Sequence, residues 1–338
     1  MRLLTGDRPT GKLHLGHYVG TIKNRVKYQY DYDCLFIIAD LHMLTTKRST
    51  QNIKDISANA RSAVLDMISC GIDPYKSRFY LQSGVMDIIG SIYFLMNNLI
   101  TVNRLNRVPS LKDMANDINE EMPYGLLGYP VLQAIDILGY KANIVPVGKD
   151  NISHVEVTRE IAKRFNNEYG EVFPIPEPVI GIDSSLVGID GKRKMSKSLG
   201  NSIYISDNDE EITAKVMKMP TDPNRIRPDI PGKVEGNTVF IYHDLFNKNK
   251  QEVEELKERY RAGKIGDVEV KKRLSNAIIN YLEPFRERRR EYESVDKLNK
   301  LIADGTFYAR EEFYKTYIDV VNVMGYNKVW QGFNLNTK

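Results

Sequence analysis

The chain has 338 residues, with 48 Lys and Arg against 44 Asp and Glu, a formal net charge of +4, 42% hydrophobic residues and a mean hydropathy of −0.40. At roughly 100–200 residues per domain this length predicts about two domains, and the composition excludes wholesale disorder. Residues 1–200 hold 24 basic and 21 acidic side chains and residues 201–338 hold 24 and 23, so neither half is a basic tail and a polynucleotide would have to meet a local patch.

Two cysteines, Cys34 and Cys70, occur without any CxxC spacing. That pattern argues against disulfide scaffolds, cysteine-ligated zinc and iron–sulfur clusters, and it suits a reducing cytoplasm. The segment MRLLTGDRPTG has no apolar signal core, and the longest apolar stretch, residues 87–100, is shorter than the ~20 residues a membrane span needs. No export and no membrane anchor are expected.

In chain order, residues 2–5 predict a strand ending at Gly6, followed by a turn-rich DRPTG and an amphipathic helix from about His14 to Tyr30. CLFIIAD predicts a second strand ending at Asp40. A helix from about Asn52 then places Ile53, Ile56, Ala60, Val64, Met67 and Ile68 on one face and stops at Gly71. RFYLQ at 78–82 and NIVPV at 143–147 predict two more strands, each followed by a helical pattern. Short apolar strands alternating with helices predict an α/β fold, Rossmann-like around a parallel sheet, with ligands at the carboxyl ends of the strands. Chemistry is therefore expected in the loops after Leu4, Asp40 and Val147.

Past the loop at 188–202 and a short SIYIS segment, helical patterns occupy about 207–219, 238–262, 267–294 and 307–325, with a proline-rich connector at 220–232. This predicts a Rossmann-like catalytic domain over 1–200 and an α-helical domain over 201–338.

Two motifs carry chemistry. GDRPTGK at Gly6–Lys12 fits a phosphate-binding G-x4-G-K loop, but the following position, which needs a hydroxyl for magnesium, is Leu13. The same segment continues as PTGKLHLGHYVG, with His14 and His17 three apart across Gly16 at a helix start. A helix N-terminus attracts phosphate, and imidazoles on its first turn add donors, although a capping and core pair or a metal pair would also give this spacing. The second motif, KMSKS at 194–198 within GIDGKRKMSKSLGN, is a cationic, glycine-flanked loop. Its lysines suit charge developing on a leaving pyrophosphate, though such a loop can equally be a solvated surface.

PTGKLHLGH with KMSKS some 180 residues later resembles the two signatures of class I aminoacyl-tRNA synthetases, with Leu15 where isoleucine is more common. Length and layout resemble the tryptophanyl and tyrosyl subgroup. Tyr129, Gln133 and Asp136 in GYPVLQAIDILGYKANIVPVGKDN resemble the tyrosyl pattern, and DLHMLTT at 40–46 is compatible with both. Leu4 stands where tyrosyl enzymes place a tyrosine, and IVPVGKDN, the SHVEVTREIAKRFN helix and the full KMSKS are similar to tryptophanyl enzymes, a resemblance that runs from Arg2 to about Gly325. Indole needs one acceptor and apolar walls, which Asp136 with Leu4, Val145 and Val147 would supply.

The resemblance implies ATP-dependent formation of tryptophanyl adenylate and transfer to tRNA(Trp), with magnesium carried on ATP and no zinc or iron–sulfur cluster. It implies His14, His17, Lys194 and Lys197 as catalytic groups. The nucleotide would lie against Arg8, Pro9, Thr10, Gly16, His17, Gly148, Lys149, Asp150 and Val187, with Met195, Ser196 and Ser198 shaping the KMSKS loop. Tyr129, Gln133 and Asn151 would hold the amino acid's ammonium and carboxylate. Anticodon reading would fall to VKKRL at 270–274 and FRERRR at 285–290 with Tyr281 and Tyr292 stacking on bases, a solvated helix face being the other reading. A homodimer, with residues 87–100 contributing to its interface, is expected.

Overall fold

The structure is a computed structural model describing residues 1–118, 121–148, 151–180, 185–222, 224, 225 and 227–334. Its apolar runs become strands β1 (Arg2–Asp7), β2 (Asp33–Ile38), β3 (Ser77–Leu81), β4 (Ile144–Val147) and β5 (Glu177–Ile180). All pair in parallel, in the order β3-β2-β1-β4-β5. Leu3, Phe36 and Phe79 point to one face and Leu4, Leu35, Ile37 and Tyr80 to the other, and both sets are buried. Two-sided burial is why these strands read as continuous apolar runs. β5 is an edge strand whose Val179 is only half-buried and whose Ile180 is exposed. Its Pro178 is tolerated at that edge, and so weak a pattern was not anticipated.

The helices are α1 (Leu15–His17), which continues through a π turn (Tyr18–Ile22) into α2 (Lys23–Tyr28), then α3 (Asp40–Leu44), α4 (Thr50–Lys54), α5 (Ile56–Ser69), α6 (Met86–Met96), α7 (Val102–Leu105), α8 (Pro109–Ile118), α9 (Tyr124–Leu127), α10 (Tyr129–Gly139) and α11 (Ile152–Tyr169). After the KMSKS loop come α12 (Asp209–Met217), α13 (Thr238–Phe246), α14 (Lys250–Arg261), α15 (Asp267–Tyr292), α16 (Val295–Val323) and α17 (Tyr326–Gly332).

Three expected helices differ in extent, two of them because a side chain caps a new start. The helix from Asn52 is broken at Asp55, which separates α4 from α5 and leaves Ile53 48% exposed rather than on the core face. The stretch 238–262 is two helices, because Asn249 accepts the Glu252 N–H and starts a new one. α16 begins well before 307, where Ser294 accepts the Lys297 N–H.

Helices cover both faces of the sheet. α5 and α12–α15 share a core with the Leu3 and Phe36 side, and α6, α10, α11 and α16 pack on the Leu4 and Tyr80 side. α16 seats directly on β3: Thr306 Oγ1 accepts the Leu81 N–H at 3.0 Å, and a Cβ on Gly305 would fall 2.0 Å from the Phe79 carbonyl oxygen. Among the described residues no helix is long and apolar enough to cross a membrane.

Candidate active site

From β1 the chain winds to β2 and β3 on one side, and β4 and β5 lie on the other, so the sheet's switch point falls between β1 and β4. In open α/β sheets ligands bind in the crevice at that point, beyond the carboxyl ends of the strands. The loop leaving β1 holds the first motif there. Leu13 and Leu15 are buried and pin it, while Arg8 stays exposed and donates to Thr46 Oγ1 at 3.2 Å. Pro9 is buried and Thr10 half-buried.

The KMSKS segment is stitched onto this loop. The Leu15 N–H donates to Ile203 O at 2.9 Å and the Ile205 N–H to Leu13 O at 3.0 Å, with His14 and Tyr204 paired in antiparallel fashion. Met195 is buried, and its Sδ accepts the Gly16 N–H at 3.3 Å. A Cβ at position 16 would meet His14 Nδ1 at 2.9 Å and Met195 Cβ at 3.3 Å, so a larger residue would crowd both the imidazole and the contact between the two motifs. Lys197 Nζ donates to Thr10 O, Thr10 Oγ1 and Gly11 O, each at 3.1 Å. Burial lowers the Lys197 pKa to about 8, against the pull of Asp66 and Asp7. Lys194 is exposed and pairs through its backbone with Val187, whose carbonyl accepts the Tyr242 hydroxyl at 2.6 Å. The Ser196 N–H donates to Asn201 Oδ1 at 2.8 Å, and its hydroxyl meets that of Ser198 at 3.0 Å.

His14 and His17 lie ring to ring, 3.7 Å between centroids. Burial, the neighbouring imidazole and the lysines lower the His14 pKa to about 3, and burial and the lysines lower that of His17 to about 4 despite Asp7. Both are neutral at pH 7. His17 Nδ1 accepts the His14 N–H at 3.2 Å, so its proton sits on Nε2, and His14 Nδ1 is buried with no hydrogen-bond partner among the described residues. Among the described residues no group of three or more His, Cys, Asp and Glu is placed to hold a metal.

Across the crevice, α10 puts Tyr129, Gln133 and Asp136 four and three residues apart on one side of a helix. Asp136 is 2% exposed and hydrogen-bonded at both oxygens: Oδ2 accepts from His42 Nε2 and from Gln82 Nε2, both at 2.8 Å, and Oδ1 from Gln82 at 3.0 Å. Burial raises its carboxyl pKa, and the His42 and Gln82 bonds oppose the shift. Tyr129 lies edge-on to His42 at 4.5 Å and to His154 at 5.5 Å, and it packs in the same apolar cluster as Leu4, Val145 and Val147. Gln133 is half-buried. Asn151 precedes α11 and donates its N–H to Gly148 O at 3.0 Å. Lys149 and Asp150 lie outside the described residues.

Sequence reasoning gave no role to His42, Gln82 or Asp66. His42 and Gln82 stand just past the carboxyl ends of β2 and β3, and that position is the signal that would have found them.

The tRNA-facing candidates need correction. Tyr292 is buried, and Tyr281 bonds its hydroxyl to that of Tyr18 at 3.0 Å among Phe246 and Phe285, so neither is free to stack on a base. Arg286 pairs with Asp209, Arg288 donates to Ser69 O, Arg289 pairs with Asp66, and Lys271 is buried on the carbonyls of Met217 and Met219. Helix α15 turns this face to its own fold. The exposed cations remaining are Lys272, Arg273 and Arg290, of which Arg273 pairs with Glu252 and Arg290 with Glu283.

Residues 1–283 match the family "tRNA synthetases class I (W and Y)". The chain is 52% identical to the tryptophan--tRNA ligase of Borreliella burgdorferi, covering 99% of this chain and 97% of the relative. It is 53% identical to that of Treponema pallidum, covering 96% and 97%. The crystal structure of tryptophanyl-tRNA synthetase from Campylobacter jejuni complexed with ADP and tryptophan superposes with a TM-score of 0.86 at 34% identity, over 96% of this chain and all of the other. With this fold, these joined motifs and these relatives, the chain belongs to the class I tRNA synthetases of the tryptophan and tyrosine group.

Proposed function

We propose that this protein is a tryptophan--tRNA ligase, which activates L-tryptophan with ATP and transfers it to the 3′ end of tRNA(Trp). The likeness to tryptophan enzymes along the whole chain carries the reading. In the first step a tryptophan carboxylate oxygen attacks the ATP α-phosphorus, a P–O bond to the β-phosphate breaks, and pyrophosphate leaves. The chain's contribution is positioning and charge, with magnesium arriving as part of the ATP substrate.

In this reading the nucleotide lies against Arg8, Pro9, Thr10, Gly16, Gly148 and Val187, with Lys149 and Asp150 at the ribose. Neutral His17 presents Nε2–H to the phosphates, and His14 adds its imidazole beside it. Lys197 rests on the carbonyls of Thr10 and Gly11 and exchanges them for phosphate oxygens, while exposed Lys194 follows the leaving pyrophosphate. Met195, Ser196 and Ser198 keep the loop in shape. Asp136, held in orientation by His42 and Gln82, keeps lone-pair capacity on Oδ1 for the indole N–H. Leu4, Val145 and Val147 wall the ring, and Tyr129, Gln133 and Asn151 hold the amino acid's charged end.

Residues 1–200 are the catalytic domain in this assignment and residues 201–338 read the anticodon through exposed cations such as Lys272 and Arg273. Phe94, 72% exposed, and Met86 on α6 support a homodimer through that helix. The cytoplasm is the compartment that suits free Cys34 and Cys70. Amino-acid-dependent ATP–pyrophosphate exchange over all twenty amino acids tests the assignment. Exchange with tryptophan alone is expected, tyrosine-dependent exchange would make this a tyrosyl enzyme, and none at all would make it a binding module.

A further inference from the structure

Helix α5 buries a carboxylate in the middle of an apolar run. Asp66 lies between Leu65 and Met67, fully shielded from solvent, where an unpaired charge would be prohibitive. It lies behind the crevice loop and away from the amino-acid side, and its two oxygens bind two separate elements. Oδ2 accepts the Leu13 N–H at 2.7 Å, in the first motif, and Oδ1 pairs with Arg289 of α15. One turn on, Ser69 O accepts Arg288 Nε at 2.7 Å. The same face of α15 meets the other end of the motif, where Tyr18 bonds Tyr281 and packs edge-on against Phe285 at 5.1 Å. Helix α15 therefore touches the motif's helix directly and its loop through Asp66.

We propose that Asp66 is a positioning residue of the adenylation step: with Arg289 as its counter-ion it forms a buried joint that sets the first motif's backbone for ATP and ties it to helix α15. An apolar pair of equal volume would hold α5 to α15 at least as firmly, so the joint's distinct property is direction. A carboxylate with one oxygen on a guanidinium and the other on a backbone N–H fixes the loop in one orientation relative to the helix. Its charge also reaches Lys197, which lies over the same loop. When Lys197 lets go of Thr10 and Gly11, the Leu13 to Asp66 bond still ties the loop to α5.

The inference rests on the loop binding ATP, and ATP affinity by calorimetry tests it whichever amino acid the enzyme activates. The variants are Asp66→Asn, Arg289→Met, Arg289→Lys and the double variant Asp66→Asn with Arg289→Met, whose neutral pair leaves no stranded charge and so preserves folding. Arg289→Met and the double variant are expected to bind ATP about tenfold more weakly, with a matching rise in KM for ATP and a KM for tryptophan within about twofold of the parent. Arg289→Lys restores most of the loss, and the double variant is no worse than the worse single one. The proposal is overturned if ATP affinity and its KM stay unchanged while only Tm falls, or if the ATP and tryptophan constants move together. Pyrophosphate exchange on another amino acid would revise the substrate and leave the ATP arm to decide the joint.

Discussion

Lys197 is a cation stored on neutral oxygens: three contacts to Thr10 and Gly11 hold it without a carboxylate partner, and burial brings its pKa to about 8. If its charge serves the departing pyrophosphate, kcat/KM for ATP falls as pH rises through about 8. Lys197→Arg, protonated throughout, should lack that limb, and Lys197→Ala should slow single-turnover adenylate formation ~10²-fold with tryptophan affinity unchanged. A wild-type profile flat to pH 9.5 (roughly one and a half units past that value) would contradict the role. The two histidines act in the opposite pH range. Their folded pKa values, about 3 and about 4, lie below the ordinary 6.5, so the native state binds fewer protons than the unfolded chain between those limits. Their contribution to stability is present above pH 6.5 and is lost as pH falls towards 4. Denaturant midpoints measured across that interval should fall for the parent and fall less when both are replaced by Asn. At Asp136, replacement by Ala is expected to raise the tryptophan requirement by a factor equivalent to ~1–3 kcal/mol, and His42→Ala or Gln82→Ala by a smaller one, in exchange assays at saturating ATP.

At the scale of elements, close backbone contact decides what can change. Gly305 lets α16 lie against the Phe79 carbonyl, so Gly305→Ala should lower Tm through an overpacking cost of ~1–3 kcal/mol, whereas Ala at Gly90, with open space around it, should not. Thermal melts of the two variants check this. The same scale explains what could be read in advance. β1 to β4 were legible because they are buried on both faces and therefore lack polar alternation, and β5 was not, since an edge strand with two prolines nearby has almost no pattern. Both signature motifs were legible because their unusual residues are adjacent in sequence. His42 and Gln82 belong to a site assembled from the ends of two strands, and no local spacing links them to Asp136. On α15 tyrosines and arginines share the buried face with Leu282 and Phe285, so residue type alone pointed outward where the side chains in fact point in. Asp66 was invisible for a related reason: one carboxylate in an apolar helix face looks like a surface position until Arg289, 223 residues away, is brought to it.

For the whole molecule, a net charge of +4 supplies little general attraction to a polyanion, and the cations of α15 are largely spent inside the fold. Recognition of tRNA is then expected to rest on local phosphate contacts rather than on net charge, and each released counterion steepens the salt response. Aminoacylation is expected to weaken with added salt more than pyrophosphate exchange does, and equal slopes in parallel titrations would argue against a tRNA surface separate from the ATP crevice. The seating of α16 on β3 also has a consequence for how the protein is made. Thr306 meets the Leu81 amide across 225 positions of chain, so the edge strand of the sheet cannot be covered until nearly the whole polypeptide has been synthesised. At typical elongation rates of ~5–20 residues per second, β3 waits roughly 10–45 s on the ribosome with its edge open. The nascent first half therefore carries an unpaired strand edge throughout that interval, the feature that favours edge-to-edge association between partly made chains.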